Sequence, residues 1–129
     1  FVAAAEVVEA NPLRSAKHAQ SHVLIDIHPD LPLFRYFLDA APAEPAWRFC
    51  GLEQMGTIAA VRQRILKGRG VGVLPEYFVR KDLKAGRLVR LMPRQRLTQD
   101  VFRLLWLEGH RRDEELRSLA RHLADLPLR

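Results

Sequence analysis

Cysteine is almost missing from this chain: Cys50 stands alone among 129 residues, so no internal disulfide can form. That excludes the disulfide-stapled class of small domain and fits a reducing, cytoplasmic setting. Two readings of Cys50 are open, a redox-sensing thiol and a buried strand residue. The second is expected, because free cysteine packs as a small hydrophobe. Long apolar runs are also missing. None approaches the ~20 residues that cross a bilayer, and no segment joins a basic start, an apolar core and a small-residue cleavage site. No membrane association is expected. Internal repeats and low-complexity tracts are absent.

Acidic residues are in deficit, 15 against 21 Lys and Arg, which leaves a net charge of +6 with His neutral. A basic balance raises nucleic acid as a partner. The cations are dispersed, however. Arg62, Arg64, Lys67 and Arg69 fall on one helix and its exit, while Arg87, Arg90, Arg94 and Arg96 straddle a strand and a loop. No aromatics interleave with them to stack bases. A solvated basic surface is the reading preferred over a small nucleic-acid module.

Catalytic and metal-ligand signatures are missing too, so no enzyme and no cofactor is expected. His18 and His22 are spaced i,i+4, but His22 falls past the end of the short helix and no third ligand is near in sequence. Asp26, His28 and Ser15 or Ser21 lack a nucleophile elbow or a paired base. Gly68, Gly70 and Gly72 follow a helix and open a strand, the reverse of a phosphate-binding loop. Helix termination and tight packing account for them.

What is present is an alternation of short strands and helices in a chain long enough for one modest domain. Phe1 to Val8 starts as an apolar strand that breaks at Asn11-Pro12, and its abrupt apolar start suggests a piece of a longer protein. Ser15 is placed to cap a short helix through Gln20. Val23 to Ile27 reads as a buried strand, and Leu33 to Ala40 as a helix with Pro32 in its first turn. The two prolines of 41–45 mark a loop, and Trp47 to Leu52 a strand.

A helix from about Thr57 to Lys67 shows Ile58, Val61, Ile65 and Leu66 on one face. Val71 to Leu74 is a strand, Pro75 opens a short helix, and Gly86 turns the chain into the strand Arg87 to Met92. The loop Pro93 to Gln99 is polar and basic. Val101 to Leu107 is read as a last strand, before a helix from about Arg112 to Leu126 striped by Leu116, Leu119, Leu123 and Leu126. This order predicts a largely parallel sheet with helices on both faces. Ligands settle beyond the carboxyl ends of such strands. Three turns lie there: His28 to Phe34, Gly56-Thr57, and Leu74-Pro75. Thr57 is either a plain helix cap or a cap beside free amides that meet a ligand carboxylate.

The run Gln63 to Met92, QRILKGRGVGVLPEYFVRKDLKAGRLVRLM, resembles the effector-binding domain of LysR-type transcriptional regulators. Family features in order are a helix ending in a glycine turn, a strand ending in Leu-Pro, a short helix, then Gly-x-Leu-Val. Phe1 to Ala5 and Leu24 to Asp26 resemble two further strands of that domain, Val101 to Leu107 its returning strand, and Glu114 to Leu126 its closing helix. The resemblance implies a periplasmic-binding-protein-like (type 2) α/β fold of two subdomains. Residues 1–98 would be the second subdomain with the first crossing strand, and 99–129 the returning strand and a helix of the first subdomain.

A small effector, an organic acid or aromatic compound, would bind between the subdomains. By position the cleft wall would be Pro32, Leu33 and Phe34, the turn Met55-Gly56-Thr57, and Val73-Leu74, with His28 outlying. DNA would be met only by a winged helix-turn-helix that this sequence does not contain, in a homo-oligomer. A periplasmic-type solute-binding domain is the alternative.

Overall fold

In the computed structural model the described residues are 1–40, 46–97 and 103–126. They fall into two compact units, Phe1–Gln99 and Asp100–Arg129.

The first unit is built on a five-stranded sheet of order β3-β2-β4-β1-β5. Its strands are β1 Val2–Ala4, β2 Val23–Asp26, β3 Gly51–Gln54, β4 Val71–Gly72 and β5 Leu88–Arg90. β2 runs parallel to β3 and β4, while β1 is antiparallel to β4 and β5. The sheet is therefore mixed rather than largely parallel. The parallel pairs arise because helices carry the chain back between strands. Helix α2, Pro32–Ala40, links β2 to β3, and α3, Ile58–Leu66, links β3 to β4. α1 is Ala5–Ala10, a 3-10 turn spans Ala16–Ser21, and α4 is Glu76–Lys84.

Side-chain alternation along the strands separates two cores, one on each sheet face. Ala3, Leu24 and Val71 join Phe34 and Phe37 of α2, whereas Val2 and Ile25 join Val61 and Ile65 of α3 and Val79 of α4. The first core is aromatic: Phe34 stacks on Phe37 with centroids 5.4 Å apart, and Trp47 meets Phe37 edge-on at 5.0 Å. Glycine permits the central strands to close. A Cβ at Gly72 would lie 2.7 Å from the Ile25 carbonyl oxygen, and one at Gly70 would collide with that of Val23.

On the second face, Asp82 of α4 is fully buried and accepts two hydrogen bonds from Arg62 of α3, at 2.7 and 2.9 Å, and further ones from Arg87. Hydrogen bonding from Arg62 above all holds its carboxyl below the usual range.

Several sequence expectations need correction. The first strand is only Val2–Ala4, and helix begins at Ala5, since Ala and Glu outweigh the Val7-Val8 pair and the neighbouring strands are equally short. β3 lies at Gly51–Gln54, not Trp47 to Leu52, because its ladder starts where β2 starts, Val23 opposite Gly51. Trp47 and Phe49 pack on the aromatic core instead. Cys50 is exposed, on the bend before β3, and is not a buried strand residue. The 41–45 loop lies outside the described residues.

In the second unit, residues 103–107 form no strand; no ladder partner faces them among the described residues. Val101 falls outside those residues. Helix α5, Asp113–Ala124, carries Asp113, Glu114 and Glu115 in its first turn and Arg121 and His122 in its last, matching the helix dipole. Asp113 accepts from Trp106 Nε1 at 2.7 Å and from Arg117 Nε at 2.6 Å. Its leucine stripe is exposed at Leu119, Leu123 and Leu126.

Candidate functional site

Because β2, β3 and β4 are parallel, their carboxyl ends meet along one edge of the sheet. The turns that follow β2 and β3 are joined there by backbone. Met55 N donates to the Asp26 carbonyl at 2.9 Å, and Gly56 N to the Ile27 carbonyl at 3.1 Å. Gly56 takes φ +69°, a left-handed geometry that suits glycine and sets the entry to α3.

Three helices of nine residues start at this edge; α4 opens after Pro75 with no side-chain cap but carries Glu76 in its first turn, while the first turns of α2 and α3 are served differently. At α2 the Asp26 carboxylate, with no solvent exposure, does the work. Its Oδ1 accepts from Ile27 N at 2.6 Å and Leu33 N at 3.3 Å, and its Oδ2 from Phe34 N at 2.9 Å. The orphan amides of the helix start are thereby paired with a fixed negative charge. At α3 the cap is neutral and exposed: Thr57 Oγ1 accepts from Ala60 N at 3.2 Å. The amides of Ile58 and Ala59 lie in the same first turn, ahead of any intrahelical acceptor.

The expected site residues divide between the two faces. Met55 and Leu74 gather at the core on the α3 side, beside Ile27 and Ile58, and Leu33 packs against both cores. Leu33 and Met55 are half-buried, Leu74 is 6% exposed, and Gly56 and Thr57 are exposed. Phe34 and Val73 belong to the opposite, aromatic core, so their side chains are packing elements. Pro32 is half-buried at the start of α2. His28 is exposed, with Nδ1 3.1 Å from Asp30 Oδ2.

Glu53 of β3 is bound by both Nε and Nη2 of Arg64 in α3, a clasp that fixes the helix beside its strand. The Arg64 hydrogen bond holds the Glu53 carboxyl below its usual value.

Sequence reasoning missed Asp26 as the cap of α2; an acid ending an apolar strand shortly before a Pro-initiated helix was the available signal. Neither histidine of the i,i+4 pair is arranged as a ligand. His18 Nδ1 lies 3.0 Å from Ser15 Oγ, and His22 is buried beyond the 3-10 turn. Among the described residues no three His, Cys, Asp or Glu side chains are grouped to hold a metal, and no helix is long and apolar enough to cross a membrane.

HTH-type transcriptional regulator PtxR of Pseudomonas aeruginosa is similar to this chain, 38% identical over 74 residues. The match covers 54% of this chain and 24% of that protein, so the chain corresponds to a fraction of its relative's length. A family model described as the LysR substrate binding domain matches residues 1–127. Matched over nearly its whole length, the chain belongs to the LysR substrate-binding domain family.

Proposed function

We propose that this chain is the effector-sensing part of a LysR-type transcriptional regulator, with a small organic acid or aromatic compound bound at the sheet edge described above. Family membership implies a periplasmic-binding-protein-like fold. In this reading the first unit is its second subdomain and the second unit returns toward the first subdomain. DNA would be contacted by a helix-turn-helix elsewhere in the protein, acting as a homo-oligomer. The similarity to a transcriptional regulator favours this over a periplasmic-type solute-binding domain.

The observation that carries the ligand assignment is the unequal treatment of the two helix starts. Asp26 already supplies an anion to α2, so a second anion there would meet like charge. The first turn of α3 has only the Thr57 hydroxyl. A carboxylate would therefore sit against Thr57 and the amides of Ile58 and Ala59, with its apolar part on Met55, Leu33 and Leu74. Pro32 and Gly56 shape the rim, and His28 lies outside it. Phe34 and Val73 contribute by packing from behind.

An effector changes regulation only insofar as it binds one arrangement of the protein better than another. Titration of the chain with benzoate and with its neutral isostere benzamide, read by backbone amide NMR, tests the assignment. Benzoate should shift Gly56 to Ala59, benzamide should do so far less, and Thr57→Phe should abolish the effect. Equal response to both compounds would remove the anion subsite.

A further inference from the structure

Helix α3, whose start carries the proposed anion subsite, is held from two sides by paired charges. Toward β3, Arg64 bonds the Glu53 carboxylate through Nε and Nη2. Toward α4, Arg62 bonds Asp82 through the same two nitrogens, at 2.7 and 2.9 Å. The two clasps differ in burial. Glu53 and Arg64 are each about a third exposed, so water competes for both and the pair is weak. Asp82 has no exposure and Arg62 is 24% exposed. A buried carboxylate deprived of a partner is left uncompensated, which makes the second clasp the firm one.

Arg62 follows Ile58 by one turn of α3 and so lies on the same side of it. Its guanidinium carbon is 5.9 Å from the ring centre of Phe78, in the first turn of α4, and Asp82 follows Phe78 by one turn. Ile58 and Phe78 pack in one core with Met55 and Leu74. Arg62 thus bridges α3 and α4 beside the apolar surface of the candidate site. The parts of that site are carried separately: Thr57 caps α3, whereas Leu74 stands just ahead of α4. The spacing of the two helices sets the distance between the anion subsite and its apolar floor.

A binding constellation works only when neighbouring bonds hold its members in place. We propose that Arg62 is a positioning residue for the effector. Its clasp on Asp82 fixes the first turn of α3 against Leu74, and with it the fit of a carboxylate that has an apolar body. This rests on the effector reading given above. Arg87, just ahead of β5, also bonds Asp82, at 2.6 and 3.2 Å, and provides a control outside α3.

The test titrates benzoate into the parent, Arg62→Gln, Arg87→Gln and Asp82→Asn, each at a temperature where far-UV circular dichroism shows it folded. Binding is read from the amide shifts of Gly56 to Ala59. Arg62→Gln should weaken benzoate roughly fivefold or more. Arg87→Gln takes the same charge from the same carboxylate but frees no residue of α3. It should lower the urea midpoint and leave affinity at the parent value. Asp82→Asn makes the cluster more positive. Charge alone would then tighten benzoate, whereas a released α3 weakens it.

Parental affinity in Arg62→Gln, equal weakening in Arg62→Gln and Arg87→Gln, or tighter binding in Asp82→Asn would each overturn the positioning role. In those cases the parent's own response leaves the effector reading standing. A parent that gives no shift with benzoate overturns that reading, and the positioning role with it. Should Asp82→Asn not fold, the two arginine variants decide alone.

Discussion

Replacing Asp26 with asparagine or alanine separates the contributions of its two carboxylate oxygens to the start of α2. The D26N side chain would keep an acceptor for Ile27 N and Leu33 N but set an NH2 group against Phe34 N, now paired with Oδ2 at 2.9 Å. One charge-assisted hydrogen bond is lost and a buried amide faces a donor, which costs about 2 kcal/mol. D26A removes all three bonds. Because the site is fully buried, water cannot replace them without displacing packing. The loss of the cap and the orphaned amides together come to about 4 kcal/mol.

Against a total stability of roughly 5–15 kcal/mol this is a large fraction. Urea unfolding followed by tryptophan fluorescence and far-UV circular dichroism measures it. With a slope of roughly 2 kcal/mol/M, the midpoint should fall by about 1 M for D26N and about 2 M for D26A, at unchanged slope. A D26A midpoint within about 0.3 M of the parent would refute the capping role.

The buried His22 makes stability depend on pH. Burial first, and His18 less strongly, lower its pKa below 6.5, against an opposing hydrogen bond with the Asn11 backbone. Below 6.5 the unfolded chain therefore binds more protons than the folded one, so this contribution falls as pH drops and levels off above that value. Urea midpoints measured across this range should show the slope, and His22→Gln should flatten it. Gly72→Ala, with its Cβ 2.7 Å from a carbonyl oxygen, should cost more than Gly56→Ala, where nothing lies within 4 Å and only φ +69° is unfavourable. The second cost is about 1 kcal/mol, and thermal melts of the two variants should differ in that order. The exposed leucines of α5, with Leu105 and Leu107 at 83% and 80% exposure, should drive self-association of the chain or exchange of that helix between copies. Sedimentation velocity over a hundredfold range of concentration checks this, and a constant monomer value would count against it.

The parts legible in the sequence were those whose signal is local. Pro32 and Ala40 bound α2, Thr57 caps α3, and Gly68 at φ +67° follows its end, each as residue type and spacing imply. Tight packing at the glycines of 70 and 72 was equally readable, though that the carbonyls of β2 are what they approach was not. What escaped depends on partners distant in sequence. The position of β3 is set by its register with β2 rather than by the apolar stretch from Trp47, and residues 103–107 have strand-like composition but no ladder among the described residues. The face on which Phe34 packs follows from the rotation of α2 over the sheet, which its sequence does not specify.

The contrast between the two helix starts follows from a difference at the ends of their strands. β2 ends in Asp26, a residue with no exposure, which can remain buried because backbone amides surround its carboxylate. β3 ends in Gln54 and passes through exposed Gly56 to exposed Thr57, leaving the start of α3 at the surface. A helix start already neutralised by the protein holds its loop in place, whereas one capped by a hydroxyl retains attraction for an anion from outside. Exchanging the roles should therefore exchange the behaviour. Thr57→Asp places a carboxylate at the α3 cap, where it stabilises the helix by up to about 1 kcal/mol and repels benzoate. A variant that melts no lower than the parent yet no longer responds to benzoate would separate binding from folding at one residue. Undiminished benzoate binding in that variant would move the anion away from α3.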